Sequence, residues 1–374
     1  MIAPTIENRD DLLSYLNAAM SLEHATIPPY LTAYYSIHSS TNSDAAHIIR
    51  VTAVEEMLHL TLVANVLNAV GGEPDLTRPG FVPSYPAHLP DGEDDFTVDL
   101  RPFSPEAVET FCLIERPGKA PSADSRLVRT TDSRARFLVS SPTAEAVRFY
   151  SIGEFYEEII EGLEKVAAND PTLFRGDPAR QVGPEYFYSG GGEVTVVSDL
   201  KSAQQALRFI AGQGEGLDSG IYDAEGELAH YYRFRQLQLG RYYQVGDRPD
   251  APTGPSLSIS WDDVYKVKVS VRLADYPPGS ELARVARDFN ADYGAFLALL
   301  TEAFNGRPGL LQEGVCEMFR LRDGFNRLVC NPLPGSGGLH AGPTFEIPAA
   351  VGPGPQAPPG AGVGADGTTR TVTR

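Results

Sequence analysis

The chain has 374 residues, 42% hydrophobic and 21% charged, enough to bury a large core as one domain or two. A formal charge of −18 disfavours a polyanionic partner, so nucleic acid is not an expected ligand. Three cysteines without a CxxC pair fit neither a disulfide framework nor a zinc knuckle and suit a reducing cytoplasm; no secretory pattern opens the chain and no apolar run is long enough to span a membrane.

Residues 9–37 read as a helix that "SSTNSD" interrupts, and Ser43 or Asp44 is the expected cap of a second helix ending at Gly71-Gly72. Prolines recurring from Pro74 to Pro121 make 74–136 a long crossover with room only for short elements, "PEAVETFCLI" being one candidate helix. Helical patterning returns at 143–168, and "YFYSGGGEVTVVSD" suggests a turn with a short extended piece. "DLKSAQQALRFIAGQGEG" and "AEGELAHYYRFRQLQLGRYY" then give two helical stretches around a Gly-rich break at 212–220. Helices near 280–305 and 309–327 follow, and the Gly, Pro and Ala of 348–374 lack periodicity and read as a disordered tail. The expected organisation is a metal-binding bundle over 1–246, a helical extension over 255–347 packed on it, and the tail.

Two apolar seams carry charge. Stepping by three and four from Ile49 gives Thr52, Glu56, His59, Val63, Val66 and Val70, which sets Glu56 and His59 on the buried face of a helix. "GELAHYYRF" repeats the pair as Glu227 and His230, continuing through Phe234 and Leu237. A carboxylate and an imidazole three residues apart on a helix can reach one metal ion. Two such pairs exceed chance only mildly; their seam positions lift the signal.

The first helix adds Glu23, the only charge on the seam Leu13, Leu16, Met20, Glu23, Ile27, Tyr30, Tyr34. A lone carboxylate inside a bundle must meet a proton, a cation or a metal. Its neighbour His24 lies off the seam and reads as a surface group or a support to the site. The third helix carries Glu154, Glu157, Glu158 and Glu161, one of which is the expected fourth partner, although a helical wheel puts Glu154, Glu158 and Glu161 opposite the apolar face, where a solvated surface accounts for them equally well. Glu215 in "QGEG" is either a ligand from a broken helix or, as favoured, a loop residue. The order Glu23, Glu56/His59, a glutamate near 154, Glu227/His230 matches the ligand order of ferritin-like di-iron carboxylate proteins. Carboxylate with some imidazole and no sulfur suits iron, with manganese the alternative. The Gly-rich stretches do not match a phosphate cradle, so no nucleotide cofactor is expected. Tyr30, Tyr34, Tyr231, Tyr232 and Phe234 read as core, with a substrate pocket as the second reading.

"SLEHATIPPYL", "EEMLHL", "IGEFYEEI", "QGEG", "ELAHYYRF", "FVPSYPAHLP" and "AGPTFE" together resemble the ferritin-like domain of the iminophenyl-pyruvate dimer synthase family, related to the ferritin-like part of violacein and rebeccamycin pathway enzymes. The resemblance runs over most of residues 10–348. It implies an all-α, ferritin-like four-helix bundle and a metal site held by Glu23, Glu56, His59, Glu154, Glu227 and His230, with Glu158, Glu161 and Glu215 as second-tier candidates. Glu56 and Glu227 are then the expected bridging carboxylates of a two-metal centre, with Glu23 and Glu154 terminal. The named enzymes are larger, so their dimer synthesis does not carry over directly. The expected function is a cytoplasmic non-haem dinuclear-metal oxidase or oxygenase of specialised metabolism, using a small-molecule substrate with oxygen or peroxide, a reductase or pathway partner as electron source, and a homo-oligomeric state. The alternative is a metal-storage or non-catalytic partner protein.

Overall fold

The computed structural model describes residues 6–89, 96–118, 151–187, 191–216 and 220–347. The tail at 348–374 lies outside them, as do 143–150 of the third expected helix. α1 (Arg9–Ser36) opens on Asn8, whose side-chain oxygen accepts the amides of Asp10 and Asp11 at 2.9 and 3.1 Å, satisfying two of the donors a helix start leaves free. α2 (Ser43–Ala69) does not use Ser43 or Asp44 as its cap. Asn42 takes that place in a left-handed conformation and spends its amide elsewhere, donating to the Ser260 carbonyl (2.9 Å) and accepting from the Ser260 amide (2.8 Å).

α1 and α2 form the largest helix pair. α3 (Pro105–Ile114) is the helix expected within the crossover, capped by the Ser104 hydroxyl. α4 (Ile152–Asn169) and α5 (Leu200–Glu215) pack on each other, α4 against α1 and α5 against α2, closing a four-helix square. α3 lies against α1 and pairs with α6 (His230–Leu239), which touches α2 and α5. The third and fourth sides of the bundle are therefore each assembled from two short helices, α3 with α4 and α5 with α6. Their interruptions meet: the carboxylate of Glu215, the last residue of α5, accepts the amide of Gly153 at the start of α4 (2.6 Å) and that of Gly118 just beyond α3 (3.1 Å). A carboxylate at a helix N-terminus compensates both the free amides and the helix dipole. A Cβ at position 153 would stand 2.7 Å from the Glu215 carboxylate, so a larger residue there would push the carboxylate off these amides.

No β-strand forms among the described residues, only isolated bridges. The stretch expected to be extended, after 191, is held instead by buried amide side chains: Asn65 donates to the Val182 and Thr195 carbonyls, and Gln181 exchanges two hydrogen bonds with Val197. α7 (Glu281–Ala303) and α8 (Leu310–Val329) form a helical hairpin, and α8 lies against α1.

α1 continues through Pro28 and Pro29, which offer no amide to the carbonyls four residues back. The buried Tyr85 hydroxyl donates to one of these, the Ala25 carbonyl, at 2.9 Å. Tyr85→Phe should leave that acceptor unpaired and cost about 1–3 kcal/mol in urea unfolding; a loss below a few tenths would show that the helix does not depend on this contact.

Candidate metal centre

Five side chains gather inside the bundle, none more than 2% exposed: Glu23, Glu56, His59, Glu115 and His230. They form two triads with ligand atoms within 4.8 Å of one another, Glu23/Glu56/His59 and Glu56/Glu115/His230. Glu56 belongs to both. Its Oε2 faces His59 Nδ1 at 3.8 Å and its Oε1 faces His230 Nδ1 at 2.9 Å, one oxygen to each side. His59 Nδ1 also meets Glu23 Oε2 at 3.2 Å, and His230 Nδ1 meets Glu115 Oε2 at 3.7 Å. The two imidazoles stack with centroids 5.4 Å apart.

Each imidazole is oriented from behind. His59 Nε2 lies 2.8 Å from Gln213 Oε1, and the amide orientation of Gln213 is set by its donation to the Gly191 carbonyl at 2.6 Å. His230 Nε2 lies 2.8 Å from Glu55 Oε2, which Arg233 holds at 2.5 Å. With both Nε2 atoms directed at acceptors, both Nδ1 lone pairs turn toward the carboxylates, as a metal requires. Gly191 supports both partners. Its φ of +94° favours glycine, and a Cβ would stand 2.2 Å from the Glu55 carboxylate.

Each carboxylate also has a hydroxyl donor: Tyr156 to Glu23, Tyr30 to Glu115 at 2.5 Å, and Thr26, shared with the Glu23 carbonyl, to Glu56 at 3.1 Å. Burial, then the neighbouring glutamates, hold both phenols well above their ordinary pKa, so they stay protonated donors.

The structure brings together four of the six principal expected ligands, Glu23, Glu56, His59 and His230. Glu227 is not among them: α6 begins at His230, so Glu227 lies three residues before the helix and is exposed. Asp223 folds that segment into a turn by accepting the amides of Glu225 and Glu227, with Gly226 at φ +80°. Glu154 sits half-buried in the first turn of α4, and it is Tyr156, on the apolar face of the wheel, that reaches the centre. Glu158 is half-buried beside Glu161, which is exposed, and neither joins a triad. Glu215 is the last residue of α5 and joins neither triad; its carboxylate ties the two helix interruptions together. Glu115 was missed, although the signal was present: Val108, Phe111 and Glu115 step by three and four, making Glu115 a charge on an apolar seam as Glu23 is. Glu55 and Gln213, the partners behind the histidines, carried no such signal.

The residues fit a pair of metal ions. Oxygen and imidazole donors converge with one carboxylate shared, and the His230 Nδ1 lies within reach of two carboxylates without an aligned hydrogen bond, as a lone pair directed at a cation would. Without metal, protons take that place. Burial disfavours the imidazolium of His59, but hydrogen bonds to Glu23 and Glu56 raise its pKa to about 10; burial raises Glu23 to about 7. The groups facing His59 are these two carboxylates, Gln213 and the ring of His230. In the metal-free protein the charged His59 contributes stability that is full below its ordinary value of 6.5 and is lost as pH rises through about 10. Metal binding should expel these protons, so affinity should climb with pH from 6 to 9 and calorimetry in buffers of different ionisation enthalpy should register proton release. A pH-independent affinity would contradict the assignment. Glu115→Ala should lower metal content at least tenfold, whereas Glu154→Gln and Glu227→Gln should leave it unchanged; the reverse result would restore the sequence-based ligand set.

A family model described as Ferritin-like matches residues 16–239. Dichlorochromopyrrolate synthase of Lentzea aerocolonigenes is 27% identical over 91% of this chain and 36% of its own length, so the chain spans about a third of that relative. The crystal structure of a ferritin-like protein from Caulobacter vibrioides shares the fold with a TM-score of 0.57 at 26% identity, over 85% of this chain and 94% of that one. The matched stretch contains all five residues of the two triads. The chain belongs to the ferritin-like family.

Proposed function

We propose that the protein is a dinuclear-metal oxidoreductase acting on a small molecule in specialised-metabolite biosynthesis, within the iminophenyl-pyruvate dimer synthase branch of its family. The observation that carries this reading is Glu56, buried and presenting one oxygen to each of two Glu/His triads. Glu23, Glu56 and His59 would hold one ion, and Glu56, Glu115 and His230 the other. Iron fits the donors best, with manganese second. When bound, such a pair supplies one-electron redox chemistry with dioxygen or peroxide.

The protein's own contribution is to hold and orient. Gln213 and the Glu55–Arg233 pair fix both histidines, and Tyr30, Tyr156 and Thr26 each engage a carboxylate, restricting its rotation. Two divalent ions against three carboxylates leave one unit of positive charge, which favours an anionic substrate such as an amino-acid-derived carboxylate. The relative named for making dichlorochromopyrrolate supports a place in natural-product assembly. Electrons would come from the substrate, a reductase or a pathway partner.

Protein expressed with iron and manganese supplements should carry about two transition metals per chain, and His59→Ala/His230→Ala should lose them. The iron-loaded protein should then consume dioxygen over multiple turnovers when given aromatic amino-acid-derived substrates. Fewer than roughly 0.1 ions per chain after reconstitution would sink the reading. Tens of ions per chain without substrate-dependent oxygen uptake would indicate storage instead.

A further inference from the structure

A cavity open at one end lies on the other flank of the α1–α2 pair, roofed by α7 and α8. Its volume is about 320 Å³, in the range of small-molecule sites, and none of the five metal-centre residues lines it. Its walls are almost wholly apolar, formed by Ile27, Leu60, Phe296, Leu297 and their neighbours. Arg322 is the one residue of permanent charge in the lining, and it and Val315 are exposed, which marks the mouth at α8.

Beyond the hydroxyls of Thr61, Tyr35 and Tyr186, one polar pair meets in this lining. His24 is 1% exposed, which excludes the surface group among the two readings its position off the seam allowed, and its Nε2 lies 2.7 Å from the hydroxyl of Tyr293. The phenol has no other hydrogen-bond partner among the described residues, so the arrangement that satisfies it has Tyr293 donating to Nε2, leaving the His24 proton on Nδ1. That Nδ1 is buried and has no partner. Buried donors are nearly always paired, and no acceptor among the described residues makes a hydrogen bond with this one. The inner end holds apolar side chains and this phenol–imidazole pair, with no carboxylate in the lining, which suits an uncharged acceptor.

We propose that this cavity is a binding site, separate from the metal centre, for a mainly apolar small molecule that places one uncharged hydrogen-bond acceptor, such as a carbonyl, on His24 Nδ1. The opening at α8 gives such a molecule an entrance that does not cross the bundle interior.

The probe is prodan, an apolar naphthalene with a single ketone whose emission shifts to the blue on leaving water, with 2-methylnaphthalene as a comparison lacking the acceptor. The metal-loaded full chain should bind one prodan with a blue shift, and more tightly than 2-methylnaphthalene. Leu297→Trp, which fills the wall, should abolish both; Val315→Trp at the mouth serves the same purpose if the first variant does not fold, with metal content and circular dichroism reporting the fold. His24→Phe should weaken prodan at least tenfold and leave 2-methylnaphthalene within twofold. Absence of saturable prodan binding, or binding unchanged in a folded tryptophan variant, overturns the site. An unchanged ratio of the two probes in His24→Phe overturns the role of His24.

Discussion

Everything in this bundle depends on how buried negative charge is neutralised. Glu23, Glu55, Glu56 and Glu115 lie inside an apolar core, and among the described residues Arg233 is the one guanidinium paired with any of them, spent on Glu55. Three carboxylates then remain in a medium where an isolated charge is prohibitive. The metal-free protein meets the demand with protons on His59 and His230 and raised affinities for protons on Glu23 and Glu115. A site that must gather protons in this way is one that two cations can discharge, which ties fold stability and metal affinity to the same five side chains.

The two interrupted sides of the bundle are part of that solution. A continuous helix fixes every side chain at one phase, so residues far apart in sequence cannot be adjusted independently. Here Glu115 stands at the end of α3 and His230 at the start of α6, both beside breaks, where the direction of the side chain is set by the ends of helices and not by their interiors. Glu215 ties the breaks to each other, and Gly153 exists to let it do so. Gly191 plays a similar part from the loop before α5, supporting Glu55 and Gln213 at once. Gly191, within a glycine-rich stretch, is thus a point of close approach behind the candidate metal centre.

The fold was legible in the sequence because helix periodicity is a property of neighbouring residues, and the seams of α1 and α2 delivered Glu23, Glu56 and His59 directly. What went astray depended on where helices start. The Glu227/His230 spacing has meaning only if both residues are helical, and Asp223 with Gly226 turns the chain until position 229. Glu154 was favoured by resemblance against the wheel, and the wheel identified the right face: Tyr156 lies on it and reaches Glu23. Glu115 met the same test as Glu23, but the prolines around it marked its segment as a connection, and α3 is too short to announce itself. Glu55 and Gln213 act through partners on other helices, information that no single segment contains.

Helix α1 shows how close packing lets one element serve two unlike environments. Successive residues on an α-helix point about 100° apart, so Glu23 and His24, adjacent in sequence, face different neighbours. Glu23 meets His59 and Tyr156 inside the bundle, while His24 meets Tyr293 of α7 and Phe81. One imidazole lies among carboxylates and the other in an apolar enclosure, and their pKa values move in opposite directions for that reason: His59 rises because anions surround it, His24 falls because burial acts alone. Between the two environments lies the α1–α2 pair, the most extensively packed pair of helices among the described residues. The outer cavity therefore rests on the same two helices that carry Glu23, Glu56 and His59, so a displacement of α1 on one side would have to be accommodated by the two triads on the other.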